Sequence, residues 1–535
     1  MAARSAQSTV RRVVIVVLLA VAIGVAASGL AGLLERLFRA ADPIAGSDTA
    51  GLALALAFSL VGVPLAGLLW WLLWRRLPEA GERDALSWGV YLLIARTVSL
   101  AVASFSLLAW AESLVTGRWL EAELANGIVW SGIWAWHAWM SRRPGRSPLR
   151  LPTAPAVVGA AFGLVLWAVG GVRAIGASVD GALGPWAAPG MAGSAWWTPV
   201  VEALPWVALG LLVWWWHLRI DGAAAVRTVF ADVVTLLVGI AAAVAATLYG
   251  AGTLLDALLR LALDASATTG EVVLGIGDGI ALALVGVLVW RIHHLQLVGR
   301  EPEVRRAETF AVSGVAVVAT AIGIGVSVNG GLAALVPAPL AGEFAPTVLI
   351  AGVSALIVGA PTWWLSWRPL RAVGPEEAAS TGRRVFLVLL FGVSALVALI
   401  ALLIIGYRLF EHLLGGGGAA GSLLDEVRAP LGWLVATAVV SAYHFATWRV
   451  DRTHAAPRPG PARRRSVLLV TGGEAEALGR QLHERTGAAV AVRRRADDAA
   501  GPDVEALVDA FTGTDAPDVL LIAGKRGVEC VPLEE

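Results

Sequence analysis

The chain has 535 residues, of which 57% are hydrophobic and 15% charged, with a mean hydropathy of +0.73 and a formal net charge of +1. A soluble domain carries about 25% charged residues, so this composition excludes a purely soluble protein. The small net charge argues against a nucleic-acid partner, and a single cysteine, Cys530, excludes internal disulfides and cysteine metal sites.

Apolar runs of roughly 20 residues, each long enough to cross a ~30 Å hydrocarbon layer, recur throughout residues 1–450. They predict helices, because an isolated strand cannot satisfy its backbone hydrogen bonds in lipid. The first run lacks a clear cleavage site and is predicted to be retained. We predict about twelve transmembrane helices, near residues 13–34, 50–73, 91–111, 123–140, 155–175, 197–217, 228–252, 271–290, 308–329, 345–367, 385–407 and 430–448.

Every second run ends in tryptophan followed by basic residues, as in LLWWLLWRR (68–76) and PTWWLSWRP (361–369). The last tryptophans of these runs are spaced by roughly 65–80 residues, the length of two spanning helices with their turns. The sequence therefore predicts an all-α polytopic membrane domain, residues 1–450, built from six tandem two-helix hairpins. Their approximate bounds are 10–76, 86–143, 150–219, 226–294, 305–369 and 383–450.

The tryptophan–arginine endings are interpreted as interfacial anchors. Tryptophan rings favour the headgroup level, and arginine can extend to the same surface. A lipid- or ligand-binding aromatic surface is the alternative. The predicted anchors are Trp74, Arg75, Trp139, Trp216, Trp290, Arg291, Trp367, Arg368, Trp448 and Arg449.

The distribution of arginine predicts the orientation. Arginines are concentrated in the segments on the side of the two termini, which the positive-inside rule assigns to the cytoplasm. We therefore expect a multi-pass protein of the cell membrane with both termini cytoplasmic. Arg96 fits neither side, and the alternative is that the third helix begins after it, at 97–116. Lys525 is the sole lysine, which with abundant alanine and glycine indicates a bacterial genome of high GC content.

The composition changes after Trp448. A linker rich in proline and arginine, residues 451–465, precedes a pattern that predicts the order β-α-β-α-β-β within 466–535. This small cytoplasmic α/β domain is marginal in size for an independent core, so we expect it to dock on the membrane part or on a protein partner. The turn at 471–474 is interpreted as a tight strand–helix connection, with phosphate binding as the weaker alternative, because no dinucleotide or Walker motif is present.

Few polar residues interrupt the apolar runs. Asp278, Glu202 and Asn126 are the predicted intramembrane polar site, and Asp278 is the best candidate to line a polar pathway. Packing or an outer-interface position is the alternative for Asp278. Histidines recur near the tryptophan endings and are interpreted as interfacial, with a metal site as the alternative: His137, His217, His293, His294 and His444. No catalytic constellation is recognised, so we predict no enzyme activity, cofactor or metal.

The repeated basic starts RRVVIVV (11–17), RTVFADV (227–233), RRAETFAV (305–312) and RRVFLVLL (383–390), each opening a hairpin that ends in Trp–Arg, resemble the DUF5671 family of bacterial membrane proteins. The resemblance implies several tandem copies over about 10–450 and a multi-pass topology. It implies no activity.

Two function classes follow from these patterns. The first is a structural, sensory or scaffold platform whose tail meets a cytoplasmic partner, which the scarcity of intramembrane charge favours. The alternative is a transporter or channel for a small solute or ion, which the helix number and the repetition favour. A water-filled cavity lined by Asp278, Glu202 or Asn126 would distinguish the second class from the first.

Overall fold

The computed structural model describes residues 2–39, 48–187, 195–264, 268–273, 275–335, 345–371, 374, 378, 380–414, 423–454, 466–472, 474–495, 503–514, 516, 518–524 and 527–533. Contacts divide the chain into two compact units. The first is helical and contains residues 1–372 and 381–448, and the second contains 373–380 and 449–535.

Long helices occupy the positions of the predicted apolar runs. They and the short helices between them are α1 (Ala2–Arg39), α2 (Thr49–Arg76), α3 (Ala80–Arg83), α4 (Leu86–Val115), α5 (Glu121–Ser141), α6 (Ala154–Ala187), α7 (Thr198–Trp215), α8 (Val229–Val234), α9 (Ala242–Leu263), α10 (Thr269–Val273), α11 (Ile276–Leu297), α12 (Pro302–Ala333), α13 (Ala345–Trp367), α14 (Thr381–Leu413) and α15 (Leu423–His454). A π-helical turn, Trp216–Ile220, extends α7, and a π-helical segment, Thr235–Ala241, joins α8 to α9.

Eleven helical segments among the described residues are long and apolar enough to span a membrane. The predicted twelfth span corresponds to α5, whose 21 residues would reach about 32 Å. Its tryptophans, its first-turn glutamates and Asn126 make α5 less apolar than the others, so the count of twelve stays a prediction. The helix α4 begins at Leu86 and carries Arg96 in its interior, so the helix itself starts before Arg96, whereas the point at which it enters the membrane stays a prediction.

Consecutive long helices pack closely on glycine, and α6 and α7 show why. A Cβ atom added to Gly163 would lie 2.4 Å from the backbone nitrogen of Trp214, and one added to Gly210 would lie 2.2 Å from that of Trp167. Only glycine permits such backbone contact, which replaces the hydrophobic driving force that helices lack in lipid. Glycines in similar close contact between paired helices include Gly29, Gly62, Gly170, Gly250, Gly286, Gly323, Gly330, Gly352 and Gly359.

These contacts also give the direction of neighbouring helices. Along α12 and α13, Gly323 meets Leu356 and Gly330 meets Leu349, so rising numbers in one helix face falling numbers in the other. The two helices are therefore antiparallel. The pairs α1 with α2, α4 with α5, α6 with α7 and α9 with α11 also pack closely, which brings consecutive spans together.

The second unit contains a small sheet in the predicted element order. Its elements are β1 (Ser466–Thr471), α16 (Ala475–Thr486), β2 (Ala489–Arg494), α17 (Val504–Thr512), β3 (Asp518–Gly524) and β4 (Gly527–Leu533). The strand order is β2-β1-β3-β4, with β1 parallel to β2 and β3, and β4 antiparallel to β3.

The tail has a hydrophobic core of its own. The alternating buried residues of β1 and β3 lie beneath the two helices, and Leu482, Leu507 and Phe511 pack on them from α16 and α17. α15 continues to His454, so it takes up the first residues of the predicted linker, and residues 455–465 lie outside the described residues.

Candidate functional site

A buried charge cluster connects three helices at the arginine-rich end of the membrane part. The side chains of Arg96, in the interior of α4, and Asp221, after the turn that ends α7, are 6% and 4% exposed and form an ion pair. Arg142, after α5, binds the other carboxylate oxygen of Asp221. His217 Nε2 lies 3.6 Å from Asp221 Oδ2. Asp221 therefore joins the end of α7 to α4 and to the end of α5.

The two guanidinium groups keep Asp221 ionised. Burial by itself raises the pKa of the Asp221 carboxyl, but the charge of Arg96 and the hydrogen bonds from Arg142 and Arg96 outweigh burial. The net pKa lies below the ordinary value of 3.8. Asp221 is thus a permanent anion at neutral pH.

A second charged contact between hairpins involves Glu112 of α4. Its Oε1 accepts hydrogen bonds from Arg173 Nη1 of α6, at 2.7 Å, and from Trp206 Nε1 of α7, at 2.8 Å. Neither the Glu112 contacts nor the Arg96–Asp221 ion pair was predicted from the sequence. Each of these residues, taken alone, resembles an ordinary charged residue near the end of an apolar run. Only Arg96 was unusual in the sequence, because it could be assigned to neither face of the membrane.

Four of the five recurring histidines are buried inside the protein, and not at its surface as the sequence suggested. His137, His217, His293 and His444 are between 1% and 7% exposed. Each ring uses Nδ1 to contact the carbonyl oxygen four residues earlier in its own helix, at 2.7–2.8 Å. His294 is more exposed and contacts Glu308 through Nδ1 at 2.8 Å.

The second ring nitrogens of the buried histidines have different surroundings. His137 Nε2 bonds the Tyr91 hydroxyl at 2.9 Å, and His217 faces Asp221. His444 Nε2 is buried without a hydrogen-bond partner, inside a group of aromatic rings that includes Trp363. These rings do not converge on one centre. Among the described residues, no group of three or more His, Cys, Asp or Glu could hold a metal ion.

A cavity of about 250 Å³ lies at the same end of the helices as the charge cluster, and we call it the arginine cavity. It is enclosed by α6, the segment after α7, α8 with its π-helical extension, and α11. Its polar lining comprises Arg227, Thr235, His293, Gln296 and Arg300, and its apolar lining includes Val157, Leu164, Trp214, Val234 and Val238. The guanidinium groups of Arg227 and Arg300 and the amide of Gln296 are donors in this lining, and no carboxylate is among the lining residues, so the cavity is suited to an anion.

Both π-helical segments border the arginine cavity. Leu218 lines it from the turn Trp216–Ile220, and Thr235, Val238 and Gly239 line it from the segment Thr235–Ala241. A Cβ atom on Gly239 would lie 2.5 Å from the ring of His293, so glycine is what admits the imidazole there. Segments of π-helix are rare and are frequent at functional sites.

The three polar residues predicted inside the membrane lie apart from this cavity. Asp278 is exposed in the first turn of α11, and its depth in the membrane stays a prediction. Glu202 is half-buried near the start of α7, and Asn126 donates to the Ala122 carbonyl oxygen of its own helix at 3.0 Å. Among the described residues, the lining of the arginine cavity includes none of the three.

The predicted anchors are not equivalent in their surroundings. Trp74, Trp139, Trp216, Trp290 and Trp448 are partly or fully exposed, as are the arginines at 75, 291, 368 and 449. Trp367 is completely buried and donates from Nε1 to the Tyr443 hydroxyl at 2.9 Å. Its side chain therefore packs inside the protein.

Residues 306–439 match the family described as "Domain of unknown function (DUF5671)". The matched stretch takes in nearly all of α12, then α13, α14 and about half of α15. No curated protein and no solved structure matches the chain. The stretch 306–439 is therefore similar to DUF5671, and the resemblance predicted for the remainder of 10–450 stays a prediction.

Proposed function

We propose that this chain is a twelve-span protein of the cell membrane that acts as a structural or sensory platform for a cytoplasmic partner. The observation that carries the proposal is that ion pairs join separate pairs of helices. The buried carboxylate of Asp221 binds Arg96 and Arg142, and the partly exposed Glu112 binds Arg173. A carrier that alternates between two states has to break contacts of this kind, whereas a platform keeps them.

Internal repetition supports the same proposal. In two groups of long helices the first helix packs against the last, α1 with α5 and α6 with α11. In a third group α12 contacts α15 where Gly325 meets Gly432. In the third group the backbone at Gly432 approaches Gly325 so closely that a Cβ atom would lie 2.2 Å from its oxygen. This third group is the stretch similar to DUF5671. We infer that the chain contains three such four-helix copies, each made of two hairpins.

The tail supports a role in recruiting a partner. It belongs to a compact unit separate from the helices, and its own core is complete. β2 is an edge strand whose side chains are largely exposed, and Arg493 is among them. An exposed edge of this kind can accept a strand from another protein. An acidic extended segment is the chemistry that fits it.

The orientation can be tested with reporters. Fusions active only in the cytoplasm should give signal after Arg76, Arg143 and Glu535, and fusions active only outside should give signal after Asp48 and Asp264, because arginine concentrates at one face. Placement after Arg143 tests α5 directly, since a chain in which α5 does not cross would place Arg143 on the same side as Asp48. Reversed signals at several positions would contradict twelve spans.

The platform can be distinguished from a transporter by a distance measurement. In a Cys530→Ser background, spin labels at Leu114→Cys of α4 and Leu204→Cys of α7 occupy exposed positions on two hairpins. We expect one narrow distance distribution in lipid vesicles, unchanged by proton or sodium gradients, because Asp221 and Glu112 fix these helices. Two populations that a gradient redistributes would overturn the platform and favour the transporter.

A further inference from the structure

The arginine cavity continues into an apolar groove. The groove has a volume of about 300 Å³, lies between α6, α9 and α11, and shares Leu164 and Val238 with the cavity. Its lining is almost entirely aliphatic and runs along α6 as far as Arg173. Val165 and Val169 are 46% and 39% exposed on its edge, so the groove opens sideways on the surface that faces lipid.

The cavity and the groove together extend far enough along α6 to hold a lipid. From Leu164 to Arg173 the helix rises about 14 Å at 1.5 Å per residue, and from Val157, at the start of the cavity, to Arg173 it rises about 24 Å. A polar cavity that continues into an apolar groove over this length can hold a headgroup and one extended acyl chain.

The charges in the cavity leave guanidinium donors free. Arg300 uses Nη1 to bind Asp232 at 2.9 Å, and its Nε is buried without a hydrogen-bond partner. Arg227 binds the carbonyl oxygens of Ala224 and Val226 through Nη1 alone. Two cations thus face one carboxylate, and the remaining donors are available to an anion.

The pKa of Arg300 agrees with an excess of positive charge in the cavity. Burial lowers the pKa of the Arg300 guanidinium, and the charge of Arg227 lowers it further, while Asp232 only partly opposes these effects. Two like charges are therefore held within interaction range in a partly buried place. An anionic group bound between them would relieve both the repulsion and the desolvation.

We propose that the arginine cavity and the groove together bind one anionic phospholipid, with its phosphate between Arg227 and Arg300 and one acyl chain along α6. The side-chain amide of Gln296 is a further donor beside the headgroup. The ligand enters sideways from the bilayer past Val165. The site is independent of the platform proposal, since failure of the chain to bind lipid would leave the reporter topology unchanged.

Native mass spectrometry of the full chain in detergent tests the proposal. The probes are dioctanoyl phosphatidylglycerol, dioctanoyl phosphatidylcholine with the same chains, and glycerol phosphate without chains. We expect one phosphatidylglycerol to bind about tenfold more tightly than phosphatidylcholine, with no retention of glycerol phosphate. Equal binding of the two lipids, or equal binding of glycerol phosphate, would overturn the proposal.

Variants locate the site. Arg227→Gln should weaken phosphatidylglycerol binding about tenfold, and Ala168→Trp should weaken it by filling the groove. Arg219→Gln is the matched control, because Arg219 is an exposed arginine at the same end that does not line the cavity. The melting temperature of each of the three variants is measured as the test of whether it is folded. An equal loss of binding in Arg219→Gln would mean that the anionic lipid is attracted to the whole arginine-rich end of the helices. That result would contradict a specific site in the arginine cavity.

Discussion

Replacing Asp221 by asparagine is expected to destabilise the membrane part by about 3–5 kcal/mol, because it leaves Arg96 buried without its counter-charge. Arg96 lies within α4 at 6% exposure and cannot reach water without moving the helix. The measurement is the melting temperature of purified protein in detergent, together with its abundance in the membrane. Arg96→Met combined with Asp221→Asn should recover much of the loss, since it removes the unpaired charge.

The matched control is Asp84→Asn. Asp84 pairs with Arg150, and both side chains are 57% exposed, so the expected loss is at most about 1 kcal/mol. If Asp84→Asn and Asp221→Asn lower the melting temperature equally, the cluster around Asp221 does not hold the hairpins together.

The pH dependence of the same pair follows from the sign of its pKa shift. The folded-state pKa of Asp221 is depressed, so the stabilisation is complete above the unfolded value of 3.8 and is lost as the pH falls through the lower folded value. The difference in melting temperature between wild type and Asp221→Asn should therefore be constant between about pH 7 and pH 5. It should shrink only below about pH 4.

Gly163→Ala is expected to destabilise the protein by about 1–3 kcal/mol, although alanine favours a helix more than glycine does. The added Cβ atom would lie 2.4 Å from the backbone of Trp214, which cannot move aside as a flexible side chain can. α6 and α7 would have to separate, and the contacts on either side of Gly163 would weaken. The melting temperature in detergent measures the change.

Gly132→Ala in α5 provides the control of opposite sign. A Cβ atom at Gly132 would meet open space, so alanine should be neutral or should stabilise the helix by up to about 1 kcal/mol. A decrease for both variants, or for neither, would show that close backbone contact is not what holds α6 to α7.

The sequence predicted well those features that each segment carries by itself. A helix that crosses lipid must be predominantly apolar over about 20 residues, so the long helices could be located from composition alone. The tail was predictable for a related reason. Short continuous apolar runs mark β1 and β3, helical spacing marks α16, and Gly487 ends that helix in the left-handed region at a φ of 67°.

The contacts between charged groups were predicted much less well. Asp278 was selected because it interrupts an apolar run; it lies in the first turn of α11 and is exposed, and its role in a polar pathway stays a prediction. Asp221 was overlooked because it follows a run, yet the turn after α7 directs it inward to Arg96. Position along a run gives no information about which neighbour a side chain meets.

What the sequence alone determined is therefore the membrane class, the places of the long helices and the element order of the tail, since each depends on local composition and periodicity. The tertiary structure decided which groups meet. Arg96 and Asp221 are separated by 125 residues, and Arg227 and Arg300 are brought to one cavity by different helices. The physical reason is that a buried charge is tolerated only opposite its partner, and that partner is fixed by the packing of helices on glycine.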